Sequence, residues 1–145
     1  MTEAGLVNLA RIGKLAAESA SAPEFAGLLR SGRERLKDAS NEALAFSSRF
    51  DLAYNAAHAF SLAALRWHGF RSDNRYLVFQ ALPHTLGLPV PVWRVLAKAH
   101  EVRNAAEYEG SLEADLALLN SLIEATEKVA AAVGRLPAPG DAKSP

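Results

Sequence analysis

The chain has 145 residues, half of them hydrophobic, with 16 basic side chains against 16 acidic ones and no cysteine. That length fits one domain with a real core. The missing cysteine excludes a disulfide framework, a thiolate nucleophile and a cysteine metal cluster, and the charge balance leaves no global field to attract nucleic acid. Abundant alanine with few β-branched and aromatic residues favours helices over strands, so the expected fold class is all-α. The opening residues lack a basic run followed by an apolar one, and no apolar run is long enough to cross a bilayer. No signal peptide and no membrane span are expected, and the cytoplasm follows by default.

In chain order, Leu6, Val7, Leu9, Ile12 and Leu15 mark one face of a first helix predicted over Glu3 to Glu18, with Gly5 and Gly13 weakening it. Ser19 to Glu24 reads as a loop and a helix start, with Pro23 at an early helical position where its missing N–H costs nothing. The second helix runs to Ala39; Phe25, Leu28, Leu29 and Leu36 face inward and Arg30, Arg33, Glu34, Arg35 and Lys37 form a solvated face. Ser47 or Ser48 caps a long helix from Arg49 to His68, which is apolar on every side between Leu52 and Leu65. Such a helix belongs in the middle of a bundle, and Gly69 ends it.

Asp73 or Asn74 caps a helix through Tyr76, Leu77, Phe79, Gln80 and Leu82 that Pro83 kinks or ends. After a turn at Leu86 to Pro89, a helix opens at Pro91 to Trp93 and closes at Gly110. Ser111 starts the last one, which reaches Val133 with Leu112, Leu116, Leu119, Ile123, Thr126 and Val129 inward. Residues 136–145 read as a flexible tail, leaving 1–135 as a single domain. The expected architecture is an up-and-down bundle of five or six helices.

Successive helical residues are offset by about 100°, so Val92, Val95, Leu96, Ala99, Val102 and Ala106 form an apolar arc while Arg94, Lys98 and Glu101 face water. Arg103 projects inside that arc, with His100, Asn104 and Glu107 on adjoining turns. A guanidinium aimed at a core is costly unless it is paired, so this group marks a site. Asp51, Asn55 and His58 share one edge of the central helix, beside Tyr54, and can meet it. One reading has Arg103 gripping a phosphate through its planar fork. The other has it paired with Glu107 or Asp51 in a polar network that only fixes helix register.

The four histidines, His58, His68, His84 and His100, have no metal-ligand spacing, and no dinucleotide, phosphate-loop or hydrolase-elbow motif occurs. No metal and no cofactor are expected. Trp67, Phe70, Tyr76, Phe79 and Trp93 fall at spacings of core or dimer-interface residues more than of base-stacking ones. Between Arg66 and Arg103 six basic residues face two acidic ones, which reads as a solvated mixed surface or, alternatively, as an anion or RNA contact face.

The long Ala-rich helix Phe50 to Gly69, a short helical crossover, and then Arg103-Asn104-Ala-Ala-Glu-Tyr108 resemble the HEPN superfamily of small helical-bundle proteins, over residues 49–133. Many members of that family are metal-independent ribonucleases, often toxins held by an antitoxin protein, that dimerise to join two copies of an arginine, a polar residue directly after it, and a histidine separated from the arginine by four to six residues. On that pattern Arg103 matches the arginine and Asn104 the polar residue, while Tyr108 stands where a histidine is expected. An ordinary tyrosine, with a pKa near 10, is a poor acid–base catalyst at neutral pH. The resemblance therefore implies a homodimeric module that binds RNA, a nucleotide or a protein partner through Arg103, Asn104, Glu107, Asp51, Asn55 and His58. Its alternatives are a ribonuclease in which His100 or Tyr108 replaces the missing histidine beside Arg103 and Asn104, and a purely structural helical protein.

Overall fold

The computed structural model describes residues 2–139, so residues 140–145 of the expected tail lie outside the described part. The fold is all-α: among the described residues, five helices have ten residues or more, two are short, and one pair of two-residue strands joins them. None is long and apolar enough to cross a membrane.

The first helix, α1 (Thr2–Arg11), stops well before Glu18 because Gly13 takes a left-handed conformation, φ +81°, and Ala16–Ala17 instead forms β1. This strand pairs antiparallel with β2 (Phe70–Arg71). Helix α2 (Ala22–Ala39) opens as expected, with Ser21 Oγ accepting from the Glu24 N–H and Pro23 in the first turn. The central helix α3 (Phe46–Trp67) starts earlier than predicted, with Ala45 as its cap residue and no side-chain cap from Ser47 or Ser48. Those serines lie inside the first turn, where the Phe46 and Phe50 rings sit 6.3 Å apart. Beyond the helix, Gly69 has φ +86°, the left-handed turn its sequence position called for.

Helix α4 (Arg75–Gln80) is capped by Asn74 Oδ1, which accepts from the Leu77 N–H. Pro83 divides the predicted single helix by sitting in the first turn of a separate α5 (Leu82–Thr85). Helix α6 (Val90–Glu109) closes on Gly110 at φ +77°. The last helix, α7 (Leu116–Gly134), begins later than predicted because Asp115 and not Ser111 supplies the cap, its Oδ1 accepting from the Leu118 N–H.

Two cores follow from this order. The main one packs α3 against α2, α6 and α7, with Phe50, Tyr54, Phe60, Leu96, Leu119 and Leu122 buried. Alanines on α3 and Gly32 on α2 bring those two helices so close that a Cβ on Gly32 would lie 2.7 Å from the Phe60 ring. The smaller core joins Leu6 and Leu15 to Leu65, Phe70, Leu77 and Val78, and α1 itself lies against α5, where Gly5 meets His84.

The arginine that is truly interior is Arg66, at 2% exposure. Its Nε and Nη2 donate to the two carboxylate oxygens of Glu24 at 2.8 and 3.1 Å. Nη1 donates to the Glu18 carbonyl at 2.6 Å and the Phe70 carbonyl at 3.2 Å, and Nη2 to the Ser19 carbonyl at 3.0 Å. One guanidinium thus ties the end of α3 to both strands' flanks and to the start of α2.

Candidate functional site

The polar group forms where α3, α4 and α6 meet. Helix α3 contributes Asp51, Tyr54, Asn55 and His58 at helical spacing, α6 contributes His100, Arg103, Asn104 and Glu107, and the Asn74 cap fixes the start of α4, which contributes Arg75 and Tyr76. Arg103 is half-buried, its side chain 28% exposed, so it lies at the margin of the apolar arc instead of inside the core. Its Nε donates to Asp51 Oδ1 at 2.9 Å and its Nη1 to Glu107 Oε1 at 2.7 Å. The same guanidinium lies 5.0 Å from the centre of the Tyr54 ring.

Arg75 converges on that ring as well, 5.4 Å from its centre, while its Nη1 donates to Asn55 Oδ1 at 3.0 Å. The Asn55 amide in turn donates to the Asp51 carbonyl at 2.9 Å and to Asp51 Oδ2 at 3.3 Å. Asp51 therefore links the two arginines. Sequence reasoning counted Arg75 only among the basic residues of mid-chain. A signal was there: a cation at the first position of a helix opposes the macrodipole and calls for a compensating partner.

His100 sits between Tyr54 and Asn104, with Nδ1 at 2.8 Å from Tyr54 Oη and Nε2 at 3.1 Å from the Asn104 amide. A neutral imidazole carries one proton, so when the Asn104 amide N–H donates to Nε2, Nδ1–H donates to the phenol oxygen; rotating the amide by half a turn reverses both bonds. Burial first, and then the charges of Arg75 and Arg103, lower the His100 pKa. Burial and then Arg75 push His58 down to about 4. Both shifts favour the neutral ring over the imidazolium, and the fixed positive charge of the site rests on the arginines.

Of the residues marked from the sequence, Arg103, Asp51 and Glu107 join in ion pairs, Asn55 bridges Asp51 to Arg75, and His100 bonds Asn104. His58 stands edge-on to Phe79, 6.2 Å between ring centres, without a hydrogen bond of its own among the described residues. Tyr108 does not join the group: it is 89% exposed on the outer side of α6. Among the aromatics expected to be core, Phe70 and Phe79 are buried, whereas Tyr76 reaches the surface.

Beside Arg103 a cleft of about 200 Å³ opens between Ser47, Phe50, Asp51, Ala106, Glu107 and Leu112. Among the described residues no three His, Asp or Glu side chains converge as a metal ion would require. The fold and site define an all-α bundle with a half-buried, arginine-centred polar group at a three-helix junction. No protein-family model, curated protein or solved structure matches the chain.

Proposed function

We propose that the chain is a HEPN-like helical module that binds a phosphodiester, as RNA or a nucleotide, through the Arg103–Asn104 face. The observation that carries this reading is the convergence of two guanidiniums, Arg75 and Arg103, on one tyrosine ring; burial and the arginines lower the pKa of the two imidazoles beside it. Arginine forks match phosphate oxygens, and the partner carboxylate Glu107 is more than half exposed, so an incoming phosphate can displace it into water.

The same electrostatics favour binding over cleavage. Transesterification of RNA by a metal-independent route uses one unprotonated and one protonated group near neutral pH. Here both imidazoles are pushed toward the unprotonated form, and Tyr108 stands away from them. Homodimerisation through the α6 region belongs to this reading, and sedimentation velocity tests it separately.

A structural role is the second reading, favoured by the fact that Arg103 already satisfies Asp51 and Glu107 within one chain. Thermal melting of wild type and Arg103→Ala, each with and without a short single-stranded RNA or ATP, separates the two. Binding predicts a folded variant with an unchanged melting temperature and a ligand shift seen only in wild type. A large drop for Arg103→Ala, with no response of wild type to either ligand, would leave a register-fixing network. Incubating labelled RNA with the protein in chelator, and finding cleavage lost in Arg103→Ala, would restore the ribonuclease reading.

A further inference from the structure

Resting on that phosphodiester reading, we infer that Tyr76 is a base-stacking platform, so that the site takes a nucleobase together with its phosphate and prefers single-stranded RNA over bare phosphate. Tyr76 is 37% exposed, whereas the other large aromatics of α3 and α4 are buried or half-buried. It is also held in place. Its ring meets Trp93 edge-to-face, with centres 6.1 Å apart at 87°, and the His100 ring at 6.2 Å.

A propped aromatic loses little conformational freedom when a flat ligand settles on it. Stacking suits any base, because every base has a π-face. Tyr76 also follows Arg75 directly on α4, and Arg75 is tied to Asn55 and to the Tyr54 ring that Arg103 approaches from α6. Through His100, the stacking ring is thus one side chain removed from Tyr54 and from Asn104. An aromatic surface beside fixed cations is the combination that recognises single strands: cations hold the backbone and the ring takes the base.

The test uses the full chain at low salt and two fluorescently labelled octamers, one of ordinary RNA and one abasic with the same number of phosphates. Wild type is expected to bind the base-bearing octamer about tenfold or more tightly than the abasic one. Tyr76→Ala should lose that preference while keeping its abasic affinity, and Tyr76→Phe should keep both. A preference that survives in Tyr76→Ala, or equal binding of both octamers by wild type, overturns the stacking inference and leaves the phosphate reading intact. If wild type binds neither octamer, the phosphate reading has failed and the inference falls with it.

A second measurement avoids any folding defect of Tyr76→Ala. The chain has two tryptophans, so Trp67→Phe leaves Trp93 as the sole indole reporter beside an intact Tyr76. The base-bearing octamer should quench its emission and the abasic one should not; quenching by both, or by neither despite binding, refutes stacking at this ring.

Discussion

Replacing Arg66 by alanine is expected to be the most damaging single change in the chain outside the hydrophobic cores. It removes the donors for three main-chain carbonyls, those of Glu18, Ser19 and Phe70, and the fork that grips Glu24. Each carbonyl left dry costs about 1–3 kcal/mol. The stranded carboxylates cost less, because Glu24 and Glu18 are 40% and 54% exposed and water takes over their solvation. Glu18 and Ser19 are themselves exposed and water can reach their carbonyls, so the total falls at the low end of three such losses, about 3–5 kcal/mol, or a melting temperature roughly 10 °C lower at about 2–4 °C per kcal/mol for a chain of this size.

Arg66→Lys keeps the charge but not the planar fork, and should fall between the two. Far-UV circular dichroism melts at pH 7 measure all three. A pH arm sharpens the test. The hydrogen bond from Arg66 holds Glu24 below its ordinary 4.5, so that part of the stability is present above pH 4.5 and is lost as pH falls through the lowered folded value. The gap between wild type and Arg66→Ala should therefore narrow in acid. An Arg66→Ala variant melting within about 2 °C of wild type at pH 7 would refute the reasoning.

His58 is pushed down to about 4, mainly by burial, so the folded state resists a proton that the unfolded chain accepts near 6.5. Stability should fall as pH drops from 6.5 towards 4, by on the order of 1–2 kcal/mol after allowing for partial exposure, and chemical denaturation of His58→Gln should give a flatter profile over that window. Gly32→Ala gains about 1 kcal/mol of helix propensity but sets a methyl 2.7 Å from the Phe60 ring. Overpacking of that kind costs about 1–3 kcal/mol, so the variant should melt a few degrees lower, and adding Phe60→Leu should recover part of the loss. Asn74→Ala should cost about 1 kcal/mol by uncapping α4; a melt indistinguishable from wild type would show that packing alone holds this helix.

Local signals carried most of the helix plan. The all-round apolar run of α3, the Asn74 cap, and the left-handed glycines at 69 and 110 are each written within a few residues of where they act. Errors came where two local signals competed. Ser111 and Asp115 both suit a helix start, and the better placed Asp115 takes it. Glu3 to Glu18 has helical spacing throughout, but Ala16 and Ala17 pair with strand residues more than fifty positions away.

The site divides in the same way. Arg103 was legible because its partner Glu107 lies one turn along the same helix, and Asp51, its other partner, shares an edge of α3 with Asn55. The structural clamp at Arg66 was not, since Glu24 lies 42 residues away and nothing near Arg66 hints at it. Tyr76 was equally opaque, because helical spacing gives a ring's direction on its own helix but not whether a neighbour covers it.

The division into two cores has a mechanical side. Leu77 and Val78 anchor the rear of α4 in the smaller core, while Arg75 and Tyr76 at its front face the polar site. Leu6 and Leu15 supply the opposing wall from the far end of the chain. A small cluster of this kind can open while the larger one stays shut, since local stability follows local burial. Phe79 of α4 belongs to the main core, so the helix is held from both sides, and loosening the first fifteen residues would weaken only one of the two supports beneath the ring and guanidinium it presents.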